Sequence, residues 1–302
     1  MLSYHTLYVL ILNIFFISIF LYLGYVIYNP NLIIRYLKHR FNIKPDNNSL
    51  THENIKEEIF STTVQNDHKK TFKHKIYYYT KPKNNTNKLI IDIPGGAFLV
   101  AATNLNLYFN MLHLDIDVVS IEYPVLMQAT AEDTLLYLEE AVLYIIKNHK
   151  KKYLIEANDN DLEIYLVTAS AGSYFGTKLI NRGNLKNITK FIGINGYYGH
   201  KTMSNGFYKI LENYYLTQTL FDDAKQRKYD CRPIDSTIES MIIMGKQDTL
   251  KESSINFSKL TGSHLDICTY EGDHTFYHKW NTLEAKRFYN DLELFLLESF
   301  KK

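Results

Sequence analysis

Of 302 residues only two are cysteine, Cys231 and Cys268. A disulfide-stapled framework needs more, and a zinc site needs closely spaced ligands that are absent here. The redox state of the compartment stays open. Charge of one sign is lacking too: 34 Lys and Arg stand against 32 Asp and Glu, a net charge of +2. The basic residues form no stripe beside a recognition helix, so a polyanion has little to hold it and nucleic acid binding is not expected. Disorder is excluded by a composition of 46% hydrophobic and 22% charged residues. A domain takes about 100–250 residues, so one large domain with an appendage fits better than two equal halves.

No charge occurs from Leu7 to Tyr28. At about 1.5 Å rise each, these roughly 22 residues span about 33 Å, enough for the hydrocarbon core of a bilayer. No Lys or Arg precedes the run, and no small-x-small site closes it; it ends Gly24-Tyr25-Val26-Ile27-Tyr28-Asn29-Pro30. Both absences argue for an uncleaved, single-pass anchor over residues 7–28 rather than a cleavable signal. Tyr8, Tyr22, Tyr25 and Tyr28 gather toward its ends, as interfacial aromatics do. Arg35, Lys38, Arg40 and Lys44 follow it, so the positive-inside rule expects the large domain in the cytosol. Sequons at Asn47, Asn84 and Asn187 decide nothing, because a chain this rich in Asn, Ser and Thr carries about three by chance.

Residues from about Leu32 to Ile76 mix helical-looking pieces with polar turns such as Pro45-Asp46-Asn47-Asn48, and Lys81-Pro82-Lys83-Asn84-Asn85 is a loop signal. Beyond it, short apolar runs of strand length recur: Leu89–Ile93, Asp117–Ile121, Ile164–Val167, Phe191–Ile194 and Met241–Met244. Between them lie helical periodicities. In Ala131–Asn148, Leu135, Leu138, Ala141, Val142, Tyr144 and Ile145 form an apolar face opposite Glu139, Glu140 and Lys147. Strands alternating with helices predict an α/β fold, a mostly parallel sheet covered on both faces, with ligands at the carboxyl ends of the strands.

Three of those strand ends carry chemistry. Thr168-Ala169-Ser170-Ala171-Gly172 follows one strand and precedes a helical pattern, the setting of a nucleophile elbow that holds a serine hydroxyl above the sheet. Thr168 stands where the pattern usually has Gly; a serine at an ordinary helix N-cap is the competing reading. Pro94-Gly95-Gly96-Ala97-Phe98 follows another strand. Its paired glycines let backbone N–H groups turn inward, as an oxyanion hole requires, though a structural turn would use them too. It is not a phosphate loop, since no Gly-Lys-Ser/Thr follows. Asp248 comes after Met241–Met244, and Gly272-Asp273-His274 after Leu265–Tyr270. Serine, then carboxylate, then imidazole is the chain order of α/β-hydrolase triads. His278 competes with His274 for the base position, but only His274 directly follows Gly272-Asp273. A zinc motif over His274–His278 lacks the Glu it would need after the first His, and no metal or cofactor is expected.

From about Leu89 onward the chain resembles the hormone-sensitive-lipase and arylacetamide-deacetylase branch of the α/β-hydrolases. Pro94-Gly95-Gly96-Ala97-Phe98 is a degenerate counterpart of that branch's His-Gly-Gly-Gly-Phe/Trp. Glu122-Tyr123 echoes its Asp-Tyr-Arg, and Thr168-Ala169-Ser170-Ala171-Gly172-Ser173 its Gly-Asp-Ser-Ala-Gly-Gly. The departures at Pro94, Thr168 and Ala169 bear on catalytic strength more than on reaction class.

The resemblance implies a serine esterase or lipase cleaving a small-molecule or lipid ester, lipidic or acetylated. In it Ser170 is the nucleophile, His274 the base and Asp248 its carboxylate, with the N–H groups of Gly96, Ala97 and Ala171 as the oxyanion hole. An amidase or formamidase with the same triad, or an inactive hydrolase fold serving as a binding module, are the alternatives. It also implies a hydrolase domain over 77–302 with a small helical cap inserted at about 198–237, residues 29–76 being linker and possible cap element. Phe98, Phe207, Tyr208 and Tyr214 are the expected substrate contacts. Anchored relatives of the arylacetamide-deacetylase type hold their catalytic domain in the endoplasmic reticulum lumen, against the charge rule.

Overall fold

The computed structural model describes residues 55–65, 69–79, 87–101, 113–152, 162–199, 230–262 and 265–298, with a few single positions outside these runs. The chain divides into two compact units, Met1–Ile43 and Lys44–Lys302. In the first, only Ser18, Ile19 and Tyr22 are described, all helical. The anchor expected over Leu7–Tyr28 therefore lies outside the described residues but for these three; among the described residues, no helix is long and apolar enough to cross a membrane.

The second unit is built on eight strands: β1 (Ile55–Gln65), β2 (Lys69–Tyr79), β3 (Lys88–Ile93), β4 (Asp117–Ile121), β5 (Glu163–Ala169), β6 (Ile188–Ile194), β7 (Glu239–Gly245) and β8 (Leu265–Tyr270). They form one sheet in the order β1-β2-β4-β3-β5-β6-β7-β8. β2 runs antiparallel to β1 and β4; every pairing from β4 to β8 is parallel. The parallel strands are near-continuous apolar runs because both faces are covered; all five residues of β4 are buried.

Among the described residues, the helices covering it include α1 (Ala131–Lys152), α2 (Ala171–Arg182), α3 (Lys251–Thr261) and α4 (Leu283–Leu297). Ile90, Tyr165, Val167, Ile192 and Ile243 share a core with Phe288, Leu292 and Leu296 of α4. Their strand neighbours Leu166 and Phe191 lie against Gly176 of α2. Successive strand residues point to opposite faces, so α2 and α4 lie on opposite sides of the sheet.

α1 starts at a reciprocal cap: the Asp133 N–H donates to Thr130 Oγ1 at 3.1 Å and the Thr130 N–H to Asp133 Oδ2 at 3.2 Å. Its expected apolar positions Leu135, Leu138, Ala141, Val142 and Ile145 are buried. Glu139 departs from the expected polar face. It is buried as well, because Arg182 at the end of α2 donates Nη1 to its Oε2 at 2.8 Å, an ion pair joining the two helices.

Residues 55–76, expected as linker and possible cap element, are corrected by the structure: β1 and β2 form an antiparallel hairpin that extends the sheet. Phe60, Val64, Phe72 and Ile76 are buried, with exposed Ser61, Thr63, Gln65, Thr71 and Lys73 beside or between them. Of the expected cap, residues 200–229, including Phe207, Tyr208 and Tyr214, lie outside the described residues. Its proposed flanks belong to the body: Tyr198 stacks on Phe257 of α3, centroids 4.1 Å apart, and Cys231 and Ile234 are buried.

Candidate active site

Strands β4 and β5 leave β3 on opposite sides, so the crevice at the carboxyl ends of β3 and β5 is the switch point of the sheet, where ligands of such folds bind. Ser170 stands there, between β5 and α2, at φ 51° and ψ −120°. A non-glycine residue pays about 1–3 kcal/mol for such a conformation, and its surroundings hold it. The Ser170 N–H donates to the Ile194 carbonyl at 2.9 Å, and the Ser170 carbonyl accepts the N–H groups of Ser173 at 3.1 Å and Tyr197 at 3.0 Å. The tight entry into α2 needs Gly172, where a Cβ would lie 2.1 Å from the Ile93 carbonyl oxygen.

Thr168, the departure from the usual elbow, is accommodated by a glycine downstream, Gly176. Its methyl occupies the space a Cβ on Gly176 would fill, 2.4 Å away. Its hydroxyl donates to the Ile192 carbonyl at 3.0 Å and shares a hydrogen bond of 3.0 Å with the Ser173 hydroxyl.

The imidazole of His274 bridges Ser170 and Asp248. Its Nε2 lies 2.9 Å from Ser170 Oγ and its Nδ1 2.8 Å from Asp248 Oδ1. A carboxylate only accepts, so Nδ1 carries the proton and Nε2 offers its lone pair to the serine hydroxyl. Asp248 has a fully buried side chain while His274 is partly open. Asp248 Oδ1 also accepts the Leu250 N–H at 2.9 Å. Its buried Oδ2 has no hydrogen-bond partner among the described residues, which leaves a carboxylate whose charge is answered mainly through His274. His278, the rival, is exposed in the 3-10 turn Phe276–His278 with its ring against Tyr277.

The turn after β3 runs beside the serine: a Cβ on Gly95 would lie 2.8 Å from Ser170 Cβ. Gly96, Ala97 and Phe98 all have positive φ, at 136°, 53° and 63°. Hydrogen bonds hold this strained turn: the Gly96 carbonyl accepts the N–H groups of Leu99 at 2.9 Å and Val100 at 3.1 Å, the Phe98 carbonyl accepts the Leu126 N–H at 2.8 Å, and the buried Tyr123 hydroxyl donates to the Pro94 carbonyl at 2.7 Å. Tyr123 is the second residue of the Glu122-Tyr123 echo. Among the described residues, the N–H groups of Gly96, Ala97 and Ala171 donate to no backbone carbonyl of a turn, loop or cap.

Phe98, expected as a substrate contact, is corrected to a packing residue. It is buried, its ring edge-on to Tyr174, Phe175 and Tyr197 at centroid distances of 6.2, 5.9 and 5.5 Å. A residue the sequence did not reveal is Asn195, whose side chain reaches both the Gly245 N–H and the His274 carbonyl. Its only sequence signal is a polar residue directly after an apolar strand. Among the described residues, no group of three or more His, Cys, Asp or Glu side chains is arranged to hold a metal.

No protein-family model matches the chain, and no curated protein does. Solved structures do match. A bacterial heroin esterase superposes with a TM-score of 0.64 at 14% identity, over 91% of this chain and 92% of its own. An esterase of Pyrobaculum calidifontis gives 0.61 at 12%, over 90% and 92%. Carboxyl esterase 2 of the mycorrhizal fungus Tuber melanosporum gives 0.61 at 12%, over 82% and 88%. With its parallel sheet and its serine on the turn after β5, the chain has the α/β-hydrolase fold.

Proposed function

We propose that the protein is a serine hydrolase that cleaves a carboxylic ester through an acyl-enzyme. The observation that carries this is the pair of hydrogen bonds, 2.9 and 2.8 Å, joining Ser170, His274 and Asp248 across strand ends far apart in sequence. The esterase names of the solved neighbours support the same class.

Ser170 Oγ attacks the ester carbonyl carbon as His274 Nε2 takes its proton. The carbonyl π electrons move onto oxygen, which the N–H groups of Gly96, Ala97 and Ala171 receive; one lost donor of this kind costs about 10²–10³ in rate. Asp248 holds the Nδ1–H tautomer and stabilises the imidazolium. The oxyanion collapses, the leaving alcohol takes the proton from Nε2, and water deacylates Ser170 by the same path.

The proposal extends to a membrane tether at Leu7–Tyr28, a domain on the cytosolic side, a lipidic or acetylated ester as substrate, and Phe207, Tyr208 and Tyr214 lining an acyl pocket. Hydrolysis of a short-chain p-nitrophenyl ester and labelling by a fluorophosphonate probe test the reaction. Ser170→Ala should lower kcat by about 10⁴-fold or more, abolish labelling and leave the unfolding transition in place. Turnover unchanged by Ser170→Ala would remove Ser170 as nucleophile.

A further inference from the structure

We infer that Asn195 is a positioning residue, one side chain that keeps the Asp248 and His274 loops in register with Ser170. Asn195 directly follows β6, the strand between the one that delivers Ser170 and the one that delivers Asp248. It is fully buried at φ 46°, a region Asn enters more readily than most residues with a Cβ.

Its backbone N–H and both ends of its side-chain amide are committed. The Asn195 N–H donates to the Ile243 carbonyl at 2.7 Å. Oδ1 accepts the Gly245 N–H at 2.8 Å, and Nδ2 donates to the carbonyl of His274 at 2.7 Å. The amide can sit only one way round: turned over, it would set NH₂ against the Gly245 N–H and Oδ1 against the His274 carbonyl. Gly245 in turn accepts the Asp248 N–H at 3.1 Å. Asn195 thus grips the base of the loop that carries the carboxylate and the backbone of the residue that carries the imidazole.

The same stretch of chain holds the serine. Ile194 accepts the Ser170 N–H at 2.9 Å and Tyr197 donates to the Ser170 carbonyl at 3.0 Å. The turn is itself fixed to α3, where buried Ser254 donates to the Gly196 carbonyl at 3.2 Å and Ser253 accepts the Tyr198 N–H at 2.9 Å. His274 most needs this help, because it follows β8 at the margin of the sheet and its side chain is partly open to solvent. Asn195 bonds to backbone alone, not to the imidazole ring or the carboxylate, so it acts through them. A misplacement of 1 Å in such a constellation costs about 10² in rate.

This inference rests on Ser170, His274 and Asp248 reacting as a unit, and its test separates the two. In the full-length protein, Asn195→Asp keeps the acceptor for Gly245 but turns an oxygen toward the His274 carbonyl, while Asn195→Ala removes both bonds. Asn181→Ala is the control, since Asn181 near the end of α2 bridges the Arg232 N–H and the Pro233 carbonyl, both at 3.1 Å. Two quantities are measured: kcat for p-nitrophenyl acetate per site titrated with a fluorophosphonate, and the low-field Nδ1–H proton resonance of His274, identified by its loss in His274→Gln.

Both Asn195 variants should lose about 10²-fold in kcat per titrated site with KM within about threefold, and should lose the resonance; Asn181→Ala should change neither. Parent-like kcat per titrated site, with fewer titratable sites as the sole loss, would reduce Asn195 to a folding residue and overturn the inference. Should Asn195→Ala not fold, Asn195→Asp carries the test. Should the parent turn over no ester, the esterase proposal fails and the resonance decides alone, its persistence in Asn195→Asp overturning the positioning role.

Discussion

At the scale of single residues, Thr168 and Gly176 form a matched pair. The β-branched methyl of Thr168 fills the site a Cβ on Gly176 would take, 2.4 Å away, and the hydroxyl is held by the Ile192 carbonyl. Adding a methyl to a filled core costs about 1–3 kcal/mol, so Gly176→Ala should destabilise by that amount in urea unfolding. Thr168→Ser keeps the hydroxyl and removes the methyl, so in that background the same substitution should cost much less. Additive losses in the double variant would show that the two positions are not coupled. The sequence motif marked position 168 as a departure; that the compensation lies eight residues on is a fact of helix-to-strand packing.

At the scale of elements, the β1–β2 hairpin shows how local propensity yields to context. Its strands mix Lys and Glu with Ser, Thr and Gln at their outward positions, and strand preference measures fit to a half-buried surface more than an intrinsic tendency. β2 gains that surface by pairing with β4. His74 on β2 packs edge-on to Tyr137 of α1, centroids 5.4 Å apart, and burial lowers its pKa from 6.5, opposed in part by the nearby Glu122 carboxylate. A lowered value in the folded state means the unfolded chain binds the proton more readily. The His74 contribution is therefore intact above 6.5 and is lost as pH falls below it, until His74 protonates in the folded protein as well. Unfolding free energies measured from neutral to mildly acidic pH should fall less steeply in His74→Gln than in the parent; equal slopes would mean burial does not hold His74 neutral. The parallel strands were legible because burial on both faces leaves little but apolar residues in them, and α1 because its periodicity runs for several turns. Glu139 was not, since the approach of Arg182 and Asn184 makes a carboxylate tolerable on a buried face.

At the scale of the whole molecule, the apolar run Leu7–Tyr28 bears on the proposal that Ser170 works beside a membrane, and on which side of it. Four basic residues follow the apolar run and none precede it, so the proposed orientation is cytosolic. In cells the full chain should then show no mobility shift on endoglycosidase treatment. A shift that disappears when the Asn-x-Ser/Thr residues Asn47, Asn84, Asn187 and Asn256 are replaced by Gln would put the domain in the lumen. Asn187 is a demanding acceptor in either case: it is half-buried with φ 69°, and its carbonyl receives the Ile164 N–H at 2.9 Å.

The amino-acid sequence by itself determined the α/β rhythm, the carboxyl strand ends as the place for chemistry, and Ser170, Asp248 and His274 as residues to watch. Periodicity and turn chemistry are local properties, and a short motif with its neighbours in family order survives without coordinates. Tertiary structure alone decided that the His274 ring meets both Ser170 and Asp248, that Phe98 packs inside the fold, that β1 and β2 extend the sheet, and that Asn195 ties two loops together. Each of these depends on segments distant in the chain arriving side by side, and a linear pattern holds no record of distance through space.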